Sequence, residues 1–259
     1  NVLFGMYFFR LARRKPDKVK AGLIKLVKEQ LGPDYDVETH FTPRYNPWDQ
    51  RLCLVPDADL FESLKAGTAS VVTDTIDRFT SDGILLDSGK TLKADIIVTA
   101  TGLSLNVLGG MAVSVDGRSV DFGRALTYKG MMYQDVPNLA YAFGYTNASW
   151  TLKADLTCEH VCRLLNHMDR IGQRQVTPRL NDPDVHEVPW LDFSSGYVRR
   201  AIAKLPKQGD KAPWKLHQNY ALDILNLRYS SVTNEALVFS NPASSVTAVR
   251  ETDETPEAA

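Results

Sequence analysis

The sequence has little of what defines several large protein classes. Three cysteines in 259 residues are too few for a disulfide scaffold, so we expect a reducing compartment. No apolar run reaches the roughly 18 residues that span a bilayer. The charges next to Val2–Phe9 follow it instead of preceding it, which is the wrong order for a secretory signal. Lysine and arginine total 30 against 31 aspartates and glutamates, which disfavours a nucleic-acid binder and excludes a disordered polyelectrolyte.

Several catalytic patterns are also absent. The chain has no G-x-S-x-G motif and Ser149 has no evident histidine partner, so a nucleophilic hydrolase is disfavoured. Cys158, His160, Cys162 and His167 fall on one predicted helix, with no distant pair to complete a tetrahedral set. We therefore predict no metal site and expect the two cysteines to lie in the core. There is no G-x-G-x-x-G either, the fingerprint that cradles a dinucleotide pyrophosphate.

What is present is an ordinary globular composition, 44% hydrophobic and 24% charged, with an uneven distribution of charge. Residues 1–31 carry eight basic side chains and two acidic ones, whereas the last nine residues carry four acids. The basic face could lie on an anionic membrane or be the solvated face of a helical hairpin. Because the chain starts at Asn1 on an apolar stretch, we expect a piece of a longer protein.

Periodicity and turn residues predict an α/β chain. The predicted helices, marked by apolar spacing and by Pro, Gly and capping residues, cover 2–31 with a break at Pro16, 59–64, 146 or 147 to 171, 196–204 and 216–227. The predicted strands, marked by β-branched runs and turn signals, cover 52–55, 69–73, 75–79, 83–86, 91–93, 95–101, 113–115, 119–120 and 138–143. Residues 95–101 suit a parallel strand that is buried on both faces. Residues 173–192 are interpreted as a linker or surface loop, and the tail from Pro242 as disordered.

Three places could carry chemistry. Thr101-Gly102 ends the predicted buried strand, where glycine lets the backbone approach a ligand. The loop Gly144–Ser149 precedes the long predicted helix, whose first N–H groups could hold a phosphate or the pyrimidine end of a reduced flavin, or could simply be capped. Arg51 follows Tyr45–Gln50 on a proline- and aromatic-rich loop, where it could bind an anion or form a structural contact with Asp49.

Four segments resemble a known family. They are YNPWDQRLCLVPDADLF (Tyr45–Phe61), ADIIVTATG (Ala94–Gly102), YKGMM (Tyr128–Met132) and PNLAYAFGYTNASWTLKADL (Pro137–Leu156). They are similar to the FAD-dependent monooxygenases of the flavin-containing and Baeyer–Villiger group. PKQG at 206–209 and Pro213-Trp214 extend the resemblance over nearly the whole chain except the acidic tail.

The resemblance implies an α/β fold, namely the C-terminal part of a flavoprotein with two dinucleotide-binding domains (FAD and NADP) and a helical insertion. Residues 1–101 would end the NADPH-binding domain and include the insertion. Residues 102–172 would return to the FAD-binding domain, and residues 173–259 would form a C-terminal extension. Both glycine fingerprints belong to the N-terminal half of that family, so this half is expected to be a missing partner of the chain.

The family's chemistry is implied in the same way. NADPH reduces FAD, and a C4a-peroxyflavin made with O2 oxygenates a ketone, sulfide or amine. By this resemblance, Arg51 falls near the active-site arginine of the family. Gln50 falls at the position where many relatives carry a lysine that binds the 2′-phosphate of NADPH. Thr101-Gly102 would mark the interdomain crossing. Further along, Asn147, Ala148 and Ser149 would open the helix that points at the flavin, and Trp150 would wall the substrate pocket.

Two other functions remain open at this stage. One is a different pyridine-nucleotide flavoprotein reductase, although no redox C-x-x-C pair is present. The other is a non-catalytic fragment that docks on a membrane or a partner through residues 2–28. We expect a cytoplasmic protein that does not bind nucleic acid, with peripheral contact at the inner face of the membrane as an alternative. The isolated chain is expected to be inactive.

Overall fold

Two helices open the chain in the computed structural model, which describes residues 2–53 and 55–242. Helix α1 covers Val2–Arg14 and α2 covers Pro16–Leu31. Pro16 begins α2 because a proline in the first turn loses no intrahelical hydrogen bond. At the other end, the Gly32 N–H donates to the carbonyl of Lys28. The predicted helical pair and its break at Pro16 are therefore confirmed.

A small antiparallel sheet follows two short helices. Helix α3 covers Val37–Phe41 and α4 covers Asp59–Lys65. Strands β1 (Ile76–Thr80), β2 (Gly83–Leu86) and β3 (Thr91–Lys93) pair in the order β1-β2-β3. The predicted helix at 59–64 and the hairpin at 83–93 are confirmed. The predicted strand at 69–73 does not form. Of the predicted strand at 52–55, the structure describes Leu52, Cys53 and Val55, and these three residues form no strand.

The prediction of a buried parallel strand at 95–101 is wrong for this chain. These residues form no strand, and Ile96 and Val98 are 82% and 83% exposed. A strand needs a neighbour for its backbone hydrogen bonds, and no strand among residues 2–53 and 55–242 lies beside this run.

Short hairpins occupy the middle of the chain. Strand β4 (Ser114–Val115) pairs with β5 (Arg118–Ser119), as the Asp116-Gly117 turn predicts, and β6 (Thr127–Tyr128) pairs with β7 (Met132–Tyr133). The predicted strand at 138–143 is reduced to a single bridge between Ala140 and Met132. Asn138 has a φ of 55°, which interrupts the extended backbone that a longer strand requires.

The 22-residue helix α5 covers Trp150–Ile171 and is the centre of the main core. It begins after Ser149, not after Thr146 or Asn147, and ends at Gly172 with a φ of 65°. Buried side chains on one stripe of α5 pack against residues from β6, β7 and the C-terminal segment; the core includes Leu126, Tyr128, Met131, Met132, Leu156, Leu164, Met168, Trp214 and Leu227. The prediction that Cys158 and Cys162 lie in this core is wrong, because both face outward.

The segment 173–192 is not a linker. Strand β8 (Gln175–Pro178) pairs with β11 (Leu237–Ser240), and β9 (Glu187–Pro189) pairs with β10 (Lys207–Gly209). Val176 and Thr177 are buried, since the pairing lays β8 against the main core. Local sequence patterns do not predict β8 and β9, because their partner strands lie far along the sequence.

Two helical segments complete the described chain. Helix α6 covers Gly196–Ala201, shorter than the predicted 196–204. Helix α7 covers Tyr220–Asp223 and continues into a π-helical turn, Ile224–Tyr229. The predicted helix at 216–227 starts later because the Asn219 side chain accepts a hydrogen bond from the Leu222 N–H and so sets its beginning.

The described residues thus mix helices and strands, consistent with an α/β class. None of their helices has both the length and the apolar character needed to cross a membrane. The tail predicted to be disordered begins at Pro242, and from residue 243 onward it lies outside the described residues.

Candidate functional site

Arg51 lies against the loop that precedes α5. Its guanidinium Nη1 donates a hydrogen bond to the Thr146 carbonyl oxygen at 3.2 Å, across 95 residues of sequence. Asp49 forms no hydrogen bond or ion pair with Arg51 and instead binds Arg13, with 3.1 Å between Arg13 Nη1 and Asp49 Oδ1. The structural alternative for Arg51 therefore does not occur, and the fold joins two of the three places singled out in the sequence.

The loop that carries Arg51 is fixed by its neighbours. The Asp49 carboxylate also accepts from the Asn46 N–H at 3.1 Å, while its carbonyl accepts from the N–H and the hydroxyl of Ser194. Trp48 packs edge-on against Phe9 of α1, with ring centroids 5.3 Å apart. Arg51 thus extends from a loop held on two sides.

The N-terminus of α5 has no side-chain cap. Ser149 stands at the capping position, but its hydroxyl bonds to the Thr151 hydroxyl at 2.8 Å instead of to a backbone N–H. The first turn contains no acidic residue. Unpaired N–H groups and the helix dipole give this end a partial positive charge, which favours an anionic group.

An apolar cavity of about 480 Å³ opens beside this helix end. Arg51, Thr146 and Trp150 line it together with apolar side chains from three other segments, including Leu103, Tyr141, Phe143, Trp190, Phe193 and Tyr197. Trp150 is 51% exposed, and its indole packs so closely on Gly144 that a Cβ there would lie 2.1 Å from the ring. The size and lining are those of a small-molecule pocket.

Two buried donors in this cavity have no partner among the described residues. They are the Tyr141 hydroxyl and the Trp190 indole N–H. Burial raises the pKa of Tyr141 well above its ordinary value, so the hydroxyl stays protonated and can donate. A buried unpaired donor is costly, and both atoms are covered by protein in the wall of the cavity instead of being open to it.

The remaining predicted residues lie less directly at this site. Gly102 has a φ of 115° and leads into Leu103, whose carbonyl accepts from Arg200 at 3.3 Å. Neither Thr101 nor Gln50 makes a side-chain hydrogen bond within the described part of the chain. Asn147, Ala148 and Ser149 directly precede α5, and the Asn147 amide donates a hydrogen bond to the Gln218 carbonyl oxygen at 3.0 Å.

Sequence reasoning missed three residues behind the loop. Gln218 accepts hydrogen bonds from the N–H and the hydroxyl of Thr146, at 3.0 and 3.2 Å. The Asp223 carboxylate accepts from Lys153 at 2.8 Å and from the Tyr145 hydroxyl at 2.7 Å. Lys153 could have been noticed, because it falls on the apolar stripe of α5, three residues before Leu156.

Burial is the main cause of the pKa shifts in this cluster. It lowers the pKa of Lys153, although the Asp223 charge opposes that effect. It raises the pKa of Tyr145 well above its ordinary value, with the Asp223 hydrogen bond as the second cause. Tyr145 therefore remains a hydrogen-bond donor to Asp223 at neutral pH.

Sequence comparison shows a class of proteins that this chain resembles: over nearly its whole length, the chain is similar to proteins named as FAD-containing or FAD-binding monooxygenases. This confirms the family resemblance. No protein-family model matches the chain.

Individual relatives make the similarity concrete. The chain is 48% identical over 247 residues to the FAD-containing monooxygenase EthA of Mycolicibacterium smegmatis, covering 95% of this chain and 50% of the relative. It is 50% identical over 240 residues to EthA of Mycobacterium tuberculosis H37Rv, covering 93% and 49%. It is 45% identical over 239 residues to the probable FAD-binding monooxygenase AlmA of Acinetobacter baylyi, covering 92% and 48%. The chain spans about half the length of the curated relatives it matches.

Proposed function

We propose that the chain is the C-terminal part of an FAD- and NADPH-dependent monooxygenase, acting on a ketone, sulfide or amine with O2. The observation that carries the proposal is the Arg51 to Thr146 hydrogen bond, which brings a guanidinium to an uncapped helix end beside an apolar cavity. Within this proposal, residues 1–101, 102–172 and 173–259 keep the domain roles given above.

The residues present fit one part of FAD. The uncapped first turn of α5 suits the pyrimidine end of the isoalloxazine ring, which becomes negatively charged on reduction. The phosphate end needs a glycine-rich turn that this chain does not contain. We therefore assign the phosphate contacts to the other half of the protein and expect the isolated chain to retain little flavin.

The residues of the chain would bind and orient, and FAD would supply the redox and oxygen chemistry. Backbone N–H groups that follow Asn147, Ala148 and Ser149 would face the pyrimidine. Arg51 would hold an anionic group of the cofactors, because its planar guanidinium presents several N–H donors in a fixed geometry. Trp150 and the neighbouring aromatic side chains would exclude water from the substrate.

Two positions carry smaller roles. Gln50 would lie near the 2′-phosphate of NADPH, where an amide can donate hydrogen bonds but brings no charge. Thr101-Gly102 would mark the crossing between the two domains, and the exposed run before it would pair with strands of the other half. That pairing would supply the neighbours that the run lacks in this structure.

The test compares the purified chain with a chimera. In the chimera, this chain replaces the matching half of the Mycolicibacterium smegmatis relative. We expect visible flavin absorbance and NADPH-dependent oxygenation of a ketone or sulfide in the chimera only. Stable flavin in the isolated chain would refute the expectation that it is inactive, and NADPH oxidation without an oxygenated product would favour a reductase.

Arg51→Ala in the chimera tests the site itself. Removing a preorganised donor from an anionic site lowers kcat by roughly 100-fold or more, and we expect a loss of that size. Arg44→Ala is the matched control, since Arg44 is exposed on the same loop. Equal activity of the two variants would contradict the role of Arg51.

A second proposal concerns the surface of α1 as a membrane-docking site. Leu3, Phe4 and Tyr7 are 79%, 71% and 63% exposed, and Arg10 and Arg14 continue this face one and two turns later. Apolar and aromatic side chains beside cations are typical of helices that lie on an anionic membrane. Such contact would place a cytoplasmic protein at the inner face of the membrane.

Vesicle sedimentation tests this second proposal. We expect the chain to sediment with phosphatidylserine-containing vesicles at low salt, and Phe4→Glu to weaken this binding. Binding should also fall as salt screens the cations. Leu26→Glu is the control, because Leu26 is an exposed apolar residue of α2. An absence of sedimentation at low salt would refute membrane docking.

A further inference from the structure

One residue, Gln218, holds the entrance of α5 through both its side chain and its main chain. Gln218 uses its carbonyl oxygen to accept from both the N–H and the hydroxyl of Thr146, at 3.0 and 3.2 Å. Its backbone carbonyl accepts from the Asn147 amide at 3.0 Å. Three hydrogen bonds from one residue therefore fix two consecutive residues of the loop that precedes the helix.

Arg51 approaches the same residue through a different atom. Thr146 receives the Arg51 guanidinium at its carbonyl oxygen and offers its N–H to Gln218. A shift of Thr146 away from Gln218 would therefore also move the contact with Arg51. The position of Arg51 relative to the helix end therefore depends on the hydrogen bonds that Gln218 makes to Thr146 and Asn147, which we call the Gln218 clasp.

The segment that carries Gln218 is itself anchored. Asp223 lies five residues later and binds Lys153 in the first turn of α5, with both side chains only 1% exposed. Between them, Asn219 caps α7 through the Leu222 N–H. Tyr145 adds a hydrogen bond to Asp223 and an edge-on ring contact with Tyr220. The segment that carries the Gln218 clasp is therefore fixed to α5 and to Tyr145 by these contacts.

We propose that Gln218 is a positioning residue that fixes the Thr146–Ser149 entrance of α5, and through it Arg51, against the reacting end of the cofactor. This inference rests on the proposed function. Gln218 lines no part of the apolar cavity and acts only through Thr146 and Asn147. It belongs to the C-terminal extension, which thereby contributes to cofactor geometry without touching the cofactor.

The variant Gln218→Leu separates the hydrogen bonds from the volume of the side chain. Leucine keeps most of the bulk but leaves the Thr146 N–H without its acceptor. Asn241→Leu is the matched control, because Asn241 accepts from the Arg174 N–H and donates to the Gly172 carbonyl at the opposite end of α5. Both variants lose amide bonds to the backbone, but only one loses them at the site.

The first measurement is hydrogen exchange on the 259-residue chain without cofactor. We expect the Thr146 amide to exchange about tenfold faster in Gln218→Leu, the effect of losing one hydrogen bond, and to be unchanged in Asn241→Leu. Unchanged exchange in Gln218→Leu would overturn the inference at its first step.

The second measurement is the midpoint potential of the flavin in the chimera. A displaced helix end stabilises the anionic reduced flavin less, so the potential should become more negative. A tenfold loss of affinity for reduced relative to oxidised flavin is about 30 mV for a two-electron couple. A role confined to general stability would leave the potential of both variants unchanged.

The outcomes separate the two proposals. A more negative potential in Gln218→Leu alone supports the inference. Faster exchange with an unchanged potential overturns it and leaves the proposed monooxygenase function standing. An unsubstituted chimera that binds no flavin refutes the proposed function, and the inference falls with it.

Discussion

The buried pair of Lys153 and Asp223 allows a stability prediction with a defined size. The variant Asp223→Asn keeps an oxygen for Tyr145 but removes the charge that faces the Lys153 ammonium, 2.8 Å away. Both side chains are 1% exposed, so water cannot replace the lost partner. Breaking a buried pair on one side costs about 3–5 kcal/mol, a large fraction of the roughly 5–15 kcal/mol that stabilises a typical domain.

The shifted pKa of Lys153 also predicts how the stability loss of Asp223→Asn changes with pH. Burial holds the pKa of Lys153 below its ordinary value of 10.5, and the Asp223 charge raises it part of the way back. Asp223→Asn therefore lowers this pKa further. Between the lowered folded pKa and 10.5 the unfolded chain binds more protons, so stability rises with pH in that window. The deficit of the variant should be largest near neutral pH and shrink as the pH is raised toward 10.5.

Urea unfolding followed by tryptophan fluorescence measures the effect at several pH values. Asp182→Asn is the matched control, because Asp182 also binds a lysine, Lys211, at 2.8 Å but with both side chains more than two-fifths exposed. An exposed pair contributes only about 0–1 kcal/mol. Similar losses in the two variants, or a deficit in Asp223→Asn that does not shrink at high pH, would refute the reasoning.

Two further predictions concern acid stability and packing. Burial lowers the pKa of His160 to about 4 from 6.5, so the chain loses stability as the pH falls through that window, by about 3 kcal/mol from this group. We expect His160→Gln to flatten the pH dependence of the urea midpoint between about pH 6.5 and pH 4, and the exposed His186→Gln to leave it unchanged. Gly209→Ala would place a Cβ 2.6 Å from Trp214 and should cost about 1–3 kcal/mol in the same assay. Gly22→Ala has open space inside α2 and should instead stabilise the chain by about 0.5–1 kcal/mol; the opposite order would contradict the described packing.

Local signals predicted the local structure. Pro16, Gly32 and Gly172 mark helix ends through their own backbone geometry, so α1, α2 and the end of α5 could be predicted from sequence. The hairpin at Asp116-Gly117 follows from the same kind of signal. These features depend on residues only a few positions apart, and a single sequence contains that information.

Long-range pairing accounts for the failures. Strand β8 pairs with residues 237–240, about 60 positions away, so nothing within 173–192 announces it. The run 95–101 was predicted as a buried strand from its composition, yet composition cannot supply a neighbouring strand. The outward position of Cys158 and Cys162 reflects which stripe of α5 meets the core, and that choice depends on the surrounding elements.

The candidate site shows the same division. Residue types and turn signals pointed to Arg51 and to the entrance of α5, the family resemblance added their roles, and the structure brings them into contact. Gln218 and Asp223 went unnoticed because they reach the loop over 71 to 78 residues and carry no motif of their own. Only the place of Lys153 on an apolar stripe hinted that a buried anion must lie opposite.

The exposed run at Asp95–Thr101 has a consequence for the behaviour of the chain in solution. Its β-branched side chains point into water, and its backbone makes no hydrogen bond to the rest of the described chain. An extended apolar segment of this kind can pair with the same segment of another molecule and template aggregation. The near-neutral net charge of -1 offers little electrostatic repulsion against such pairing. Covering these seven residues would therefore remove one source of self-association.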